Sequence, residues 1–159
     1  MIARYNKCNY LYMSNRRKKE IITTKEQKTD SSFTKEGNLY FKNILEEELS
    51  DIYDVEIWVS YNANIPNTPE QWKLGSDKYV ISENGILLVF AEGILPGWNV
   101  IEKNVCSQRI NLSEISSARV VFVYKKKDGK MLENHLVEEI SIATSELNEY
   151  FERYSKFGL

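Results

Sequence analysis

The sequence predicts an α+β fold: an antiparallel sheet of about five or six strands built from hairpins, with an N-terminal-side helix and a C-terminal helix packed on one face. Three observations predict it. Two segments carry apolar residues at helical spacing, several runs are dense in β-branched and aromatic residues, and the dipeptides Asn84-Gly85 and Asp128-Gly129 stand between such runs.

Taken in order, residues 23–34 hold Thr, Ser, Lys, Gln, Glu and Asp with Phe33 as the one apolar side chain, which is loop composition. In residues 38–52, Phe41, Ile44, Leu45, Leu49 and Ile52 fall on one face of a helix, with Glu46, Glu47 and Glu48 largely on the other. Residues 55–61, Val-Glu-Ile-Trp-Val-Ser-Tyr, form a strand that ends in the Asn- and Pro-rich segment 62–69. Asn84-Gly85 suits a type I′ turn, pairing Ile81 with Leu88 and Tyr79 with Phe90. Residues 98–105 read as a further strand and 112–116 as a helical turn. Asp128-Gly129 closes a second hairpin whose register sets Val121 against Leu136, Phe122 against His135, and Arg119 against Glu138. Thr144 or Ser145 caps a last helix with the stripe Leu147, Tyr150, Phe151 and Tyr154, ended by Gly158. No internal repeat is apparent.

The net charge of −2 conceals an asymmetry. Residues 1–28 hold eight basic against two acidic residues, a net +6, and residues 29–159 hold 13 against 21, a net −8. The chain therefore divides into a basic, polar, flexible leader, residues 1–34, and a single α+β domain, residues 35–159. Residues 1–20 lack the apolar core of a secretory signal, and the two cysteines, Cys8 and Cys106, cannot build a disulfide framework, so a cytoplasmic location is expected. Lys (15), Ile (15) and Asn (14) are abundant and Ala (5) scarce, the bias of AT-rich coding sequence and of a bacterial or phage origin.

The raw materials of most catalytic sites are missing. One histidine, His135, excludes sites that need two, and it sits mid-strand opposite Phe122, where packing explains it. Cys106 beside Val105 reads as a packing residue. There is no CxxC, HxxxH, HExxH, calcium-loop spacing, GxxxxGK[ST] or GxGxxG. The expectation is a non-enzymatic protein without cofactor or metal. Aromatics, at 12%, are plentiful, and tyrosine and tryptophan dominate protein-binding hot spots.

In size, low-GC composition, acidic body and aromatic content, residues 33–159 resemble the immunity proteins of bacterial toxin–immunity pairs, particularly those of contact-dependent growth inhibition systems. The resemblance is one of overall character and rests on no signature string. It implies a partner, a cognate toxin domain such as a nuclease, whose basic face the acidic body would meet. Charge and loop position nominate Glu46, Glu47, Glu48, Trp72, Asp77, Trp98, Glu138 and Glu139 for that surface. The alternative is a nucleic-acid-binding regulator or mobile-element accessory protein, using the basic leader and the hairpin tip of Lys125, Lys126, Lys127 and Lys130. Neither a membrane partner nor a catalytic residue is expected.

Overall fold

The computed structural model describes residues 1–61, 71–73, 86–92, 97–103 and 105–154. Among them the chain is mostly strand: β1 (Ile2–Tyr5), β2 (Cys8–Ser14), β3 (Lys19–Thr23), β4 (Thr34–Glu36), β5 (Leu39–Asn43), β6 (Asp51–Tyr61), β7 (Gln71–Lys73), β8 (Ile86–Glu92), β9 (Asn99–Glu102), β10 (Val105–Asn111), β11 (Ile115–Lys127) and β12 (Lys130–Ile142). The one α-helix among the described residues is α1, Leu147–Tyr154. The larger sheet has the order β12-β11-β6-β1-β2-β3-β5-β4 with β7 added on β6, and the smaller has the order β8-β10-β9. No helix among the described residues is long and apolar enough to cross a membrane.

Two sequence expectations are corrected. The helix over residues 38–52 does not form, so among the described residues the α+β architecture with two covering helices gives way to a mostly β arrangement with one short C-terminal helix. In its place β5 leads through a 3-10 turn, Glu46–Glu48, into β6. The helical spacing arose from two strand ends flanking a turn: Ile44 is 5% exposed and Leu49 1%, whereas Leu45, on the same supposed face, is 66% exposed. The Ile44 N–H bonds the Lys19 carbonyl and the Ser50 N–H bonds the Arg4 carbonyl, so strand partners distant in sequence hold these backbone groups.

Residues 1–34, expected as a flexible leader, contain β1, β2 and β3, and contribute Ala3, Tyr10, Tyr12 and Ile21 to a core that also holds Ile44, Leu49 and Ile52. By contacts the chain forms two units rather than a leader and one domain: Met1–Val55 with Phe122–Glu138 and Glu152–Leu159, and Glu56–Val121 with Glu139–Phe151. The boundaries fall within β6, β11, β12 and α1.

Each unit carries a copy of one motif, an internal repeat that the residue string alone did not reveal. In the first, β3, β5 and β4 are neighbours in that order; in the second, β8, β10 and β9 are. The hairpins match 66 residues apart, Glu36 opposite Leu39 in one and Glu102 opposite Val105 in the other. Each copy then enters a 3-10 turn through the same string, Ile44-x-x-x-Glu48-Leu49 and Ile110-x-x-x-Glu114-Ile115, and a third instance, Ile142-x-x-x-Glu146-Leu147, opens α1. The glutamate carboxylate accepts the N–H three residues back, from Leu45 at 2.9 Å, Asn111 at 2.8 Å and Ala143 at 2.8 Å. The flanking apolar pair is buried in all three, as in a hydrophobic staple around a capped turn.

Aromatic packing fixes a pH response. The Tyr10 hydroxyl donates to the Lys28 carbonyl at 2.7 Å, and burial pushes its pKa from 10.0 to about 12. Tyr53, packed at 5.2 Å from Tyr124 and 5.9 Å from Phe122 between ring centroids, is pushed up as well, mainly by burial. A raised folded-state pKa contributes stability that is whole below the unfolded value and lost as pH rises through the folded one. Stability to urea is therefore expected to hold up to pH 10 and to fall between pH 10 and about 12. Tyrosinate absorbance showing every tyrosine ionising near pH 10 while the fold persists would contradict this.

Candidate functional site

β12 is the terminal strand of the larger sheet, and ten of its 13 residues are exposed. A terminal strand presents backbone N–H and C=O groups on its open side, and β12 has 13 residues over which to do so. Within the first unit, alternation along the strand puts Met131, Glu133, His135 and Val137 on one face, and Leu132, Asn134, Leu136 and Glu138 on the other. Neither face is covered: Met131 is 61% exposed, Val137 53% and Leu136 41%. The hairpin turn that starts it is the expected one, with Asp128 at φ 49° and Gly129 at φ 78°. Two further bonds seat the turn, the Gly129 N–H on the Ser50 carbonyl and the Asp128 N–H on the Asp51 carboxylate.

The nominated residues fare unequally. Glu46 lies in the 3-10 turn, where its carboxylate accepts the Tyr12 hydroxyl at 2.9 Å and pairs with Lys19 at 2.9 Å. The Lys19 bond, aided by Tyr12, holds that carboxyl below the usual carboxylate range. Glu48 caps its own turn, and Glu47 is exposed. Trp98, nominated as a loop anchor, is 7% exposed and therefore buried. Trp72 stands in β7 opposite Val59, and Asp77 lies outside the described residues. Glu138 and Glu139 are both on β12; Glu138 pairs with Lys127, and Glu139 with Arg119 at 2.8 Å. The basic tip is engaged as well, because Lys125 pairs with Asp54 at 3.1 Å and the Lys126 ammonium donates to the Glu46 carbonyl.

Other expectations shift. His135 is exposed and not packed, Cys106 is fully buried as expected, and both cysteines are free. The Asn84-Gly85 turn lies outside the described residues; β8 pairs with β10, Leu88 opposite Arg109 and Phe90 opposite Ser107.

Sequence reasoning missed two features of the second unit. The first is a ladder in which the Trp58 indole N–H donates to Glu56 at 3.0 Å and the Arg119 guanidinium stands 5.8 Å from the Trp58 ring, held in turn by Glu139. The second is the edge strand β9. Its counterpart in the other copy, β4, presents Thr34, Lys35 and Glu36, whereas β9 exposes Val100 at 58% and Ile101 at 49%. The repeat is the signal that finds this second apolar edge. Charge also follows the units: the first holds 16 basic against 13 acidic residues, a net +3, and the second 5 against 10, a net −5.

Chemically, β12 offers backbone pairing and apolar contact. Among the described residues no cluster of three or more His, Cys, Asp or Glu is placed to hold a metal ion. Compared with family models, curated proteins and solved structures, the chain matches none.

Proposed function

We propose that this protein is a non-catalytic binding domain that neutralises a cognate bacterial toxin domain in the cytoplasm, an immunity protein of the contact-dependent growth inhibition type. β12 is the strand on which the toxin docks. The observation that carries the reading is a long terminal strand exposed on both faces, with Met131, Leu136 and Val137 bare to solvent. A soluble chain that keeps such an edge open invites strand pairing, and a specific partner is the productive way to cover it. The partner that fits adds an extended segment bearing apolar and basic side chains, the latter meeting Glu133 on β12.

The test asks whether the reading frame beside this gene encodes a toxic C-terminal domain, and co-expresses that domain with this chain. Co-expression is expected to restore growth, and the two proteins are expected to co-elute as a stable complex. Growth arrest that persists with the chain abundantly expressed and folded would refute the proposal.

A further inference from the structure

The tip of the β2–β3 hairpin, residues 15–18, is a turn ordered by its own side chain. The Asn15 carboxamide oxygen accepts the N–H groups of Arg17 at 2.9 Å and Lys18 at 2.8 Å, and the Asn15 N–H donates to the Lys18 carbonyl at 3.0 Å. This turn forms one wall of a cleft of about 580 Å³; Asn43, Ile44, Leu45 and Glu48 form the other. That volume lies within the range of small-ligand sites, roughly 300–1,000 Å³.

Four consecutive cations line the cleft, and the structure divides them. Lys18 faces Glu20 at 2.5 Å and Lys19 faces Glu46 at 2.9 Å. Arg16 and Arg17 are exposed, and neither has a carboxylate in ion-pair reach among the described residues. The single acid of the lining, Glu48, already accepts the Leu45 N–H. Two guanidinium groups thus project from an ordered turn beside a concave surface, with Leu45 bare on the far wall at 66% exposure.

We propose that this cleft is a binding site for phosphate-bearing anions, gripped by Arg16 and Arg17. A guanidinium fork matches two phosphate oxygens at once, which a lysine ammonium cannot do, and the pre-formed turn lowers the ordering cost of binding. Leu45 contacts the non-phosphate part of the ligand. Lys125, Lys126 and Lys127 take no part, because each is engaged within the molecule. The phosphate is carried by a single-stranded nucleic acid or by a free nucleotide, which present the same oxygens. This site stands or falls independently of toxin docking on β12.

The experiment titrates the full chain at low salt with a labelled oligothymidylate, followed by anisotropy, and with AMP, followed by calorimetry. Binding of either ligand is expected to weaken roughly tenfold or more in the double variant Arg16→Gln/Arg17→Gln. Lys35→Gln, which removes a charge from exposed β4, is expected to change affinity by less than about twofold. Tighter binding of the oligonucleotide, with affinity falling steeply as salt rises, identifies the strand as the source. AMP bound as tightly as the oligonucleotide identifies the free nucleotide. The proposal is overturned if neither ligand binds, if the double variant binds as the unmodified chain does, or if Lys35→Gln costs as much. Matching circular dichroism and melting curves establish that the variants are folded.

Discussion

Replacing Ile21 with alanine is expected to destabilise the protein by about 2–5 kcal/mol, the range for emptying a well-packed aliphatic site. Ile21 lies at the centre of β3, fully buried, with Lys42 opposite it on β5 and the side chains of Ala3, Tyr10, Tyr12, Ile44, Leu49 and Ile52 in the same core. The measurement is the shift in urea midpoint at unchanged slope. The comparison that gives it force is Met13→Ala: Met13 is in the neighbouring strand but 52% exposed, and its truncation is expected to cost under about 0.5 kcal/mol. If Ile21→Ala were as mild as Met13→Ala, residues 1–34 would be the flexible leader that their charge suggests, and the sheet order through β1, β2 and β3 would be wrong.

The same residues show why that part of the fold was hard to read. The β1–β2 hairpin turns at Asn6-Lys7, with φ of 47° and 66°, the positive values of a type I′ turn. Glycine normally announces such a turn, as Gly129 does at the β11–β12 hairpin, and lysine at the second position carries no such signal. The basic run 16–19 then masks β3, because its charges read as a solvated tail although Lys18 and Lys19 are paired and a buried β-branched run, Ile21, Ile22 and Thr23, follows. The error at residues 38–52 has the opposite origin: an apolar period matched a helix while Leu39, Tyr40 and Phe41 have strand propensity. The choice was made by partners 25 to 46 residues away, Lys19 for Ile44 and Arg4 for Ser50, which no local window contains.

Where the signal is local, the sequence was legible. Asp128-Gly129 placed its hairpin, the segment 112–116 was read as a turn and contains the 3-10 turn Leu112–Glu114, and the last helix occupies Leu147–Tyr154. The candidate site was legible only in part. Glu138 and Glu139 do lie on β12, but a charge-based choice could not see that each has a basic neighbour, nor that Leu136, set by register against Val121, stands open. Exposure is a property of what covers a strand, and that is set by strand order.

Placing lysine at Leu136 and Val137 together is expected to weaken binding of the proposed toxin partner by roughly a hundredfold or more, with protein stability changed by less than about 1 kcal/mol. The two positions are adjacent in sequence and so lie on opposite faces of β12, at 41% and 53% exposure. A partner strand paired with β12 must pack beside both. Two ammonium groups there desolvate on docking, repel a basic partner, and are the device by which proteins close their own sheet edges. Because neither side chain is buried in the free protein, folding has little to lose. The pair Leu136→Ser/Val137→Thr separates the two contributions: it removes apolar contact without adding charge, and is expected to weaken binding by roughly tenfold. Glu133→Lys reverses a charge on the same strand and is expected to act mainly on the association rate and its salt dependence. Calorimetry on the purified complex reads the first two and stopped-flow mixing the third. Undiminished affinity in the double-lysine variant would remove β12 from the interface and direct attention to the second apolar edge, Val100 and Ile101 on β9, where the equivalent paired substitution then becomes the informative one.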